Sequence, residues 1–271
     1  FGSGSGNVDG ALMRRILLLC TFGIFMAGIA VAEEWQEYKK EHFIIYYQEA
    51  PFDFVKEVEK AAETYYNEIT RNLGFTRYKG WTWDERAKIY IFNDADHYVN
   101  AGRQVGWSHG SASVEEKEIR TFPSASGFFD STLPHEIGHI VFREFIGFRA
   151  NVPPWFEEGV AMYQEKAKRW GSNKIVKEAI KDKKFVPLDE LSLVRLNGNS
   201  DPEFVNLFYA ESASAVYFMI NEYGLNRFVQ LCRKLQDGGT FDLALTSVYV
   251  RFSNVQELNK AWFDHLTRAK K

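Results

Sequence analysis

The chain has 271 residues, of which 45% are apolar and 25% charged, the balance of an ordinary globular protein with a sizeable core. Its formal net charge is −3 and no long basic run occurs, which argues against nucleic acid or an anionic membrane surface as its partner.

The N-terminal segment has the pattern of an export signal. Met13-Arg14-Arg15 precedes an apolar run from Ile16 to Val31, and Ala30-Val31-Ala32 supplies the small residues that signal peptidase needs. We therefore predict a signal peptide over residues 13–32, a mature chain that begins at Glu33, and a non-native or upstream extension over residues 1–12. The alternative is a retained membrane anchor, for which sixteen apolar residues are few.

The first part of the mature chain, residues 42–122, is predicted to form a small mixed sheet with helices. Residues 42–47 and 88–92 are β-branched and aromatic, as in strands, and residues 105–113 and 118–122 resemble a hairpin-like pair at the sheet edge. Between the first two strands, apolar residues recur at helical spacing from Phe52 to Leu73, and Gly74 is the predicted stop.

The second part, residues 131–269, is predicted to be helical. Together the two parts predict an α+β protein with a cleft between the sheet and a helical subdomain, all within one domain over residues 33–271. The predicted helices span roughly residues 131–146, 154–169, 173–181, 187–194, 203–223, 225–236, 240–250 and 254–269.

The first of these helices carries the sequence His135-Glu136-Ile137-Gly138-His139. Two histidines at positions i and i+4 lie on one helix face, so both imidazoles can bind one metal ion. The adjacent Glu136 can then take a proton from a metal-bound water. Asp130 and Ser131, which precede Pro134, are predicted to cap this helix.

A second helix is predicted to begin at Pro153-Pro154 and to continue through Trp155-Phe156-Glu157-Glu158-Gly159. The intervening residues are enough to end the first helix, turn at Gly147 and bring the second helix back beside it. A carboxylate on this second helix would complete a site of two histidines and one glutamate with one position open for water, the catalytic form of zinc coordination.

These two segments resemble the gluzincin metallopeptidases, in which HExxH is followed by Trp-x-x-Glu-Gly at this spacing. The resemblance implies that Glu158 rather than Glu157 is the third ligand, and that one Zn²⁺ binds per chain. From about residue 42 to 262 the chain resembles the peptidase MA-like domain proteins, a group of exported bacterial metallopeptidases. The residues that carry this resemblance are 133–139, 154–161 and 208–214.

The resemblance also implies two further sets of residues. In the aminopeptidase branch of the gluzincins a tyrosine downstream of the third ligand stabilises the oxyanion, which indicates Tyr209 as a second catalytic residue, with Tyr217 as the alternative. In gluzincins the strand ahead of the metal helix is the sheet edge that pairs with substrate. Substrate binding by strand addition is therefore expected at Ile119, Arg120, Thr121 and Phe122, although a plain edge strand is the alternative.

The resulting hypothesis is an exported, monomeric, zinc-dependent metallopeptidase that acts on peptides or proteins, with no nucleic-acid partner and no stable membrane insertion after signal cleavage. Its compartment would be the periplasm or the extracellular space. The alternative is an inactive relative that serves as a peptide- or envelope-binding module. The intact set of Glu136 and three ligands favours the enzyme, because a binding module has no use for the general base.

Overall fold

In the computed structural model, the described residues are 34–75, 86–101, 111–113 and 115–268, with side chains at all of these except 111, 112 and 166–170. Glu34–Lys271 forms a single compact unit. Residues 1–33 lie outside the described part, so the signal peptide and the upstream extension stay predictions. None of the described helices is long and apolar enough to span a membrane.

The architecture is α+β, as predicted, with a mixed sheet followed by helices. The strands are β1 (Gln36–Lys39), β2 (Phe43–Tyr47), β3 (Ala87–Ile91), β4 (Ser111–Ser113) and β5 (Glu118–Thr121). The helices are α1 (Phe52–Asn72), α2 (Ala95–Asn100), α3 (Leu133–Ile146), α4 (Pro154–Met162), α5 (Lys166–Lys181), α6 (Leu188–Leu191), α7 (Pro202–Tyr223), α8 (Leu225–Gln236), α9 (Phe241–Val248) and α10 (Val255–Thr267).

The sheet has the strand order β1-β2-β3-β5-β4, with parallel pairing of β2 with β3 and of β3 with β5. Strands β1 and β4 lie at the two edges, where β1 pairs antiparallel with β2 and β4 pairs antiparallel with β5. Strand β1 was not predicted from the sequence. Side chains alternate across the sheet, so Ile45, Ile89 and Ile119 are fully buried in the core. Helix α1 packs against both β2 and α3, so it lies between the sheet and the helix that carries His135 and His139.

The predicted open edge at residues 118–122 is wrong for most of its length. Strand β4 pairs with β5 through Ser111 with Arg120, Ala112 with Ile119 and Ser113 with Glu118. Because β3 pairs with the opposite side of β5, the main chain of β5 is hydrogen-bonded on both sides there. The hairpin-like pair was predicted correctly, but β4 and not β5 is its outer strand. The earlier part of that predicted strand, residues 105–110, lies outside the described residues.

Helices α3 and α4 begin and end at residues whose backbone conformation explains the boundary. Pro134 and Pro154 stand in the first turns of α3 and α4, where the missing N–H removes no helical hydrogen bond. Gly147 ends α3 with φ +91°, a conformation that disfavours residues with a Cβ. The start of α4 and the end of α3 agree with the prediction, whereas α3 starts two residues after the predicted residue 131. The predicted helix over 154–169 is too long, because α4 ends at Met162 and Glu165 is extended, with ψ 99°.

Candidate metal site

The two histidines of α3 lie side by side on the helix face that packs against α4. His135 and His139 are one turn apart, and their Nε2 atoms lie 3.1 Å from each other. Both side chains are largely buried, with 15% and 9% of their surface exposed. Two buried nitrogen atoms at this separation can both bind one cation.

Glu158 of α4 completes a triangle of ligand atoms. Its Oε2 atom lies 3.5 Å from Nε2 of His135 and 3.4 Å from Nε2 of His139. Three ligands at the corners of a tetrahedron around zinc would be about 3.3 Å apart, given metal–ligand distances of about 2.0–2.1 Å. This Oε2 atom is buried and has no hydrogen-bond partner, an arrangement that calls for a cation. The three residues therefore fit a metal ion.

The pKa values of the clustered side chains are shifted both by burial and by the attraction between the histidines and the carboxylates. Burial lowers the pKa of His135, but the adjacent carboxylates of Glu158 and Glu165 outweigh this effect and raise the pKa to about 10. Burial raises the pKa of Glu158, but the neighbouring His139 and His135 hold it well below its usual range. A metal ion would replace the protons that these groups otherwise hold.

Glu136 and Tyr209 lie around the same cluster. The charge of Glu136, which adjoins His135 in the chain, raises the pKa of His135, His139 and Tyr209. The Tyr209 ring is 6.3 Å from the His135 ring, centroid to centroid. Burial and then the charges of nearby glutamates, Glu158 foremost, raise the pKa of Tyr209, so its hydroxyl stays protonated and can donate a hydrogen bond.

The alternative tyrosine has a different neighbour. Tyr217 stands two turns beyond Tyr209 on α7, and its ring lies 6.4 Å from the ring of Tyr163. The ring of Tyr209, by comparison, contacts the ring of the candidate ligand His135. The geometry therefore favours Tyr209.

Gly159 explains how Glu158 and Tyr209 come to share one site. A Cβ atom at Gly159 would lie 2.3 Å from the carbonyl oxygen of Ser212 and 2.6 Å from Cγ2 of Val216, both on α7. Only glycine allows α4 to approach α7 this closely. Gly159, the residue after the candidate ligand Glu158, thus sets the distance between α4 and α7.

The family model of the peptidase MA superfamily matches residues 75–268, which is more than half of the chain and includes α3, α4 and α7. The chain belongs to the peptidase MA superfamily. This membership confirms the resemblance drawn from the two motifs, and it supports a metallopeptidase-like role. No curated protein matches the chain.

Two carboxylates contact the histidines in addition to Glu158. Glu157 was interpreted from the sequence as a carboxylate beside Glu158, exposed to solvent or in an outer contact, and Glu165 was not recognised. Oε1 of Glu165 lies 3.0 Å from Nδ1 of His135, and its Oε2 accepts a hydrogen bond from Ser131. Glu157 binds Arg143 through both oxygens and lies 3.9 Å from Nδ1 of His139. The sequence offered a hint only for Glu157, which adjoins the ligand; nothing local distinguishes Glu165 from a surface acid.

The helix-cap prediction for Ser131 is also wrong. Ser131 belongs to a π-helical turn, Phe128–Thr132, that leads into α3, and its hydroxyl turns towards Glu165. The residue before α3 is Thr132, whose side chain makes no capping hydrogen bond.

The predicted substrate residues are mostly core. Ile119 and Thr121 are fully buried, and Arg120, 8% exposed, donates a hydrogen bond to Glu118 at 2.6 Å. Phe122 is half-buried and its ring contacts Tyr98. Since β4 covers the main chain of β5, strand addition at Ile119 and Arg120 is not available while that pairing holds.

Proposed function

We propose that this member of the peptidase MA superfamily is a zinc-dependent metallopeptidase. The observation that carries the proposal is the triangle of Nε2, Nε2 and Oε2 atoms with sides of 3.1, 3.4 and 3.5 Å. It is a three-ligand set of nitrogen and oxygen donors, and structural zinc sites instead use four protein ligands, commonly with cysteine among them. The single described cysteine, Cys232, is buried elsewhere.

His135, His139 and Glu158 would hold the zinc ion, which when bound lowers the pKa of water to about 7 and polarises a peptide carbonyl. Glu136 then accepts the proton of the attacking water and later delivers it to the leaving amine. Tyr209 donates its hydroxyl proton in a hydrogen bond to the oxyanion, which is a charge that develops only towards the transition state. A peptide or protein is the substrate class that this chemistry fits.

Glu136→Gln tests the proposal. The variant keeps the size of the side chain but cannot accept a proton, so zinc content and melting temperature should stay unchanged while peptide hydrolysis falls by about 10²–10⁴-fold. The assay is cleavage of casein and of a peptide library by zinc-loaded protein, with elemental analysis for one zinc per chain. Wild-type rates in Glu136→Gln would reject the base. A zinc-loaded wild type that binds peptides without cleaving them would support the binding-module alternative.

Export is part of the proposal and is supported by the sequence of residues 13–32. Expression of the full chain in a bacterium, followed by intact-mass measurement of the exported fraction, should give a chain that begins at Glu33. Retention of residues 13–32 in a membrane fraction would instead indicate an anchor.

A further inference from the structure

Glu165 is a buried acid beside the proposed zinc site that is not one of the ligands. Its side chain is 2% exposed. Oε1 lies 3.0 Å from Nδ1 of His135, the ring nitrogen that points away from the ligand triangle. A histidine whose far nitrogen donates to a carboxylate has a defined tautomer and a defined ring orientation.

The backbone conformation of Glu165 directs its side chain towards His135, although the residue directly precedes helix α5. Glu165 precedes the first residue of α5, a position where a side-chain oxygen often caps the helix, yet it makes no such hydrogen bond. Turns at Gln164 and Glu165, with N–H groups bound to the carbonyls of Ala161 and Met162, direct the chain end of α4 towards His135 instead.

Ser131 holds the other oxygen of this carboxylate. Its hydroxyl donates to Oε2 of Glu165. The π-helical turn places Ser131 there: the N–H groups of Ser131 and Thr132 both bind the carbonyl of Gly127, at 2.9 and 3.2 Å. Turns of this kind are often found at functional sites. Ser131 precedes His135 by four residues, and both side chains contact the carboxylate of Glu165.

We infer that Ser131 and Glu165 are positioning residues that orient His135 for zinc, and that they set the zinc affinity of the site. This inference rests on the proposed function, because it takes zinc as the occupant. Ser131 orients the carboxylate, and the carboxylate accepts the Nδ1 proton of His135, which leaves Nε2 as the free donor atom. Neither residue touches the metal or the substrate.

The test is the zinc dissociation constant, measured by competition with a chromophoric chelator, together with the cobalt(II) absorption spectrum of each variant. Removal of such an outer contact weakens metal binding by about 10–100-fold in comparable sites. We therefore expect Glu165→Ala to bind zinc about 100-fold more weakly and to change the cobalt spectrum. Glu165→Gln, which keeps an acceptor oxygen but loses the charge, should restore only part of this loss and bind zinc about 10-fold more weakly than wild type.

A coupled pair and a matched control make the test specific. Ser131→Ala should weaken zinc binding in the wild-type background but add nothing in the Glu165→Ala background. Glu211→Gln changes an equally buried glutamate, 0% exposed, on α7 and should leave zinc affinity unchanged.

The outcomes separate this inference from the proposed function. Zinc affinity within twofold of wild type in Glu165→Ala and Glu165→Gln overturns the positioning role. The role is also overturned if Ser131→Ala weakens zinc binding as much in the Glu165→Ala background as in the wild type. If Glu165→Ala does not fold, Glu165→Gln and Ser131→Ala decide by the same criteria. A wild-type protein that takes up no zinc overturns the proposed function itself, and the inference with it.

Discussion

Helices α3 and α4 run antiparallel, and polar contacts join them at both ends, but the two ends differ. At the His135 end, the carboxylate of Glu165 lies within hydrogen-bond distance of His135, and the ring of Tyr209 contacts the ring of His135. At the His139 end, Glu157 is bound through both oxygens by Arg143, whose guanidinium also donates to the carbonyl of Ala150 at 2.7 Å.

This difference teaches that similar residues serve different purposes at the two ends. Because Arg143 neutralises Glu157, the carboxylate there ties α3 to α4 and to the loop between them, while His139 Nδ1 has no hydrogen-bond partner. Because Glu165 instead faces His135, its charge acts on the ligand. The first end should therefore govern zinc and turnover, and the second should govern stability.

Tyr209→Phe should have the largest effect, and at the His135 end. Loss of one hydrogen bond to the oxyanion should lower kcat by about 100-fold with little change in KM. The ring remains, so the melting temperature should hardly move. Steady-state kinetics and thermal melts check this, with Tyr217→Phe as the matched control. Normal turnover in Tyr209→Phe would reject its catalytic assignment.

Gly159→Ala should disturb the ligand and tyrosine helices together. The added methyl group cannot fit at 2.3 Å from the Ser212 carbonyl, so α4 and α7 must separate. We expect a loss of about 1–3 kcal/mol in unfolding free energy and a fall in kcat.

Gly138→Ala on α3 is the control for this change, since its nearest neighbours are 3.1 Å away and the gain in helix propensity of about 1 kcal/mol offsets the crowding. Urea unfolding of both variants measures the difference. Equal stability losses at the two glycines would contradict the close α4–α7 approach.

Glu157→Gln tests whether the His139 end governs stability rather than zinc binding. Loss of the charged pair with Arg143 should reduce the unfolding free energy by about 1–2 kcal/mol. Zinc affinity should stay within a fewfold of wild type, because His139 gains no hydrogen bond from Glu157. Urea unfolding of the metal-free protein and the chelator competition give both values. A zinc defect as large as that of Glu165→Ala would abolish the distinction between the ends.

Glu211, a buried acid on α7, should affect the dependence of stability on pH. Burial raises its pKa to about 8, opposed only in part by the hydrogen bond from Val186 N–H. The folded state therefore holds a proton that the unfolded state loses above about pH 4.5. This makes stability fall between about pH 4.5 and 8, by at most about 1.4 kcal/mol per pH unit from this group.

Glu211→Gln should remove that slope. Unfolding free energies measured at several pH values for both proteins test it. A wild-type profile that is as flat as that of Glu211→Gln across this window would show that Glu211 is charged in the folded state.

Much of the helical part could be predicted because its signals are local. Proline marks the starts of α3 and α4, glycine marks the end of α3, and apolar spacing marks α1. The end of α4 could not be predicted, because the residues after Met162 are compatible with a longer helix. The chain turns there so that Glu165 can reach His135, a contact between residues thirty positions apart.

The sequence by itself indicated the three candidate ligands, the candidate general base and the α+β class. The i, i+4 spacing of His135 and His139 fixes their shared face through helix geometry alone, whatever the rest of the chain does. Only the tertiary structure decided which strand lies at the sheet edge, which tyrosine faces the ligands and which carboxylate contacts each histidine. These depend on how separate elements pack, as in the approach of α4 to α7 at Gly159, where a Cβ atom would lie 2.3 Å from the Ser212 carbonyl oxygen.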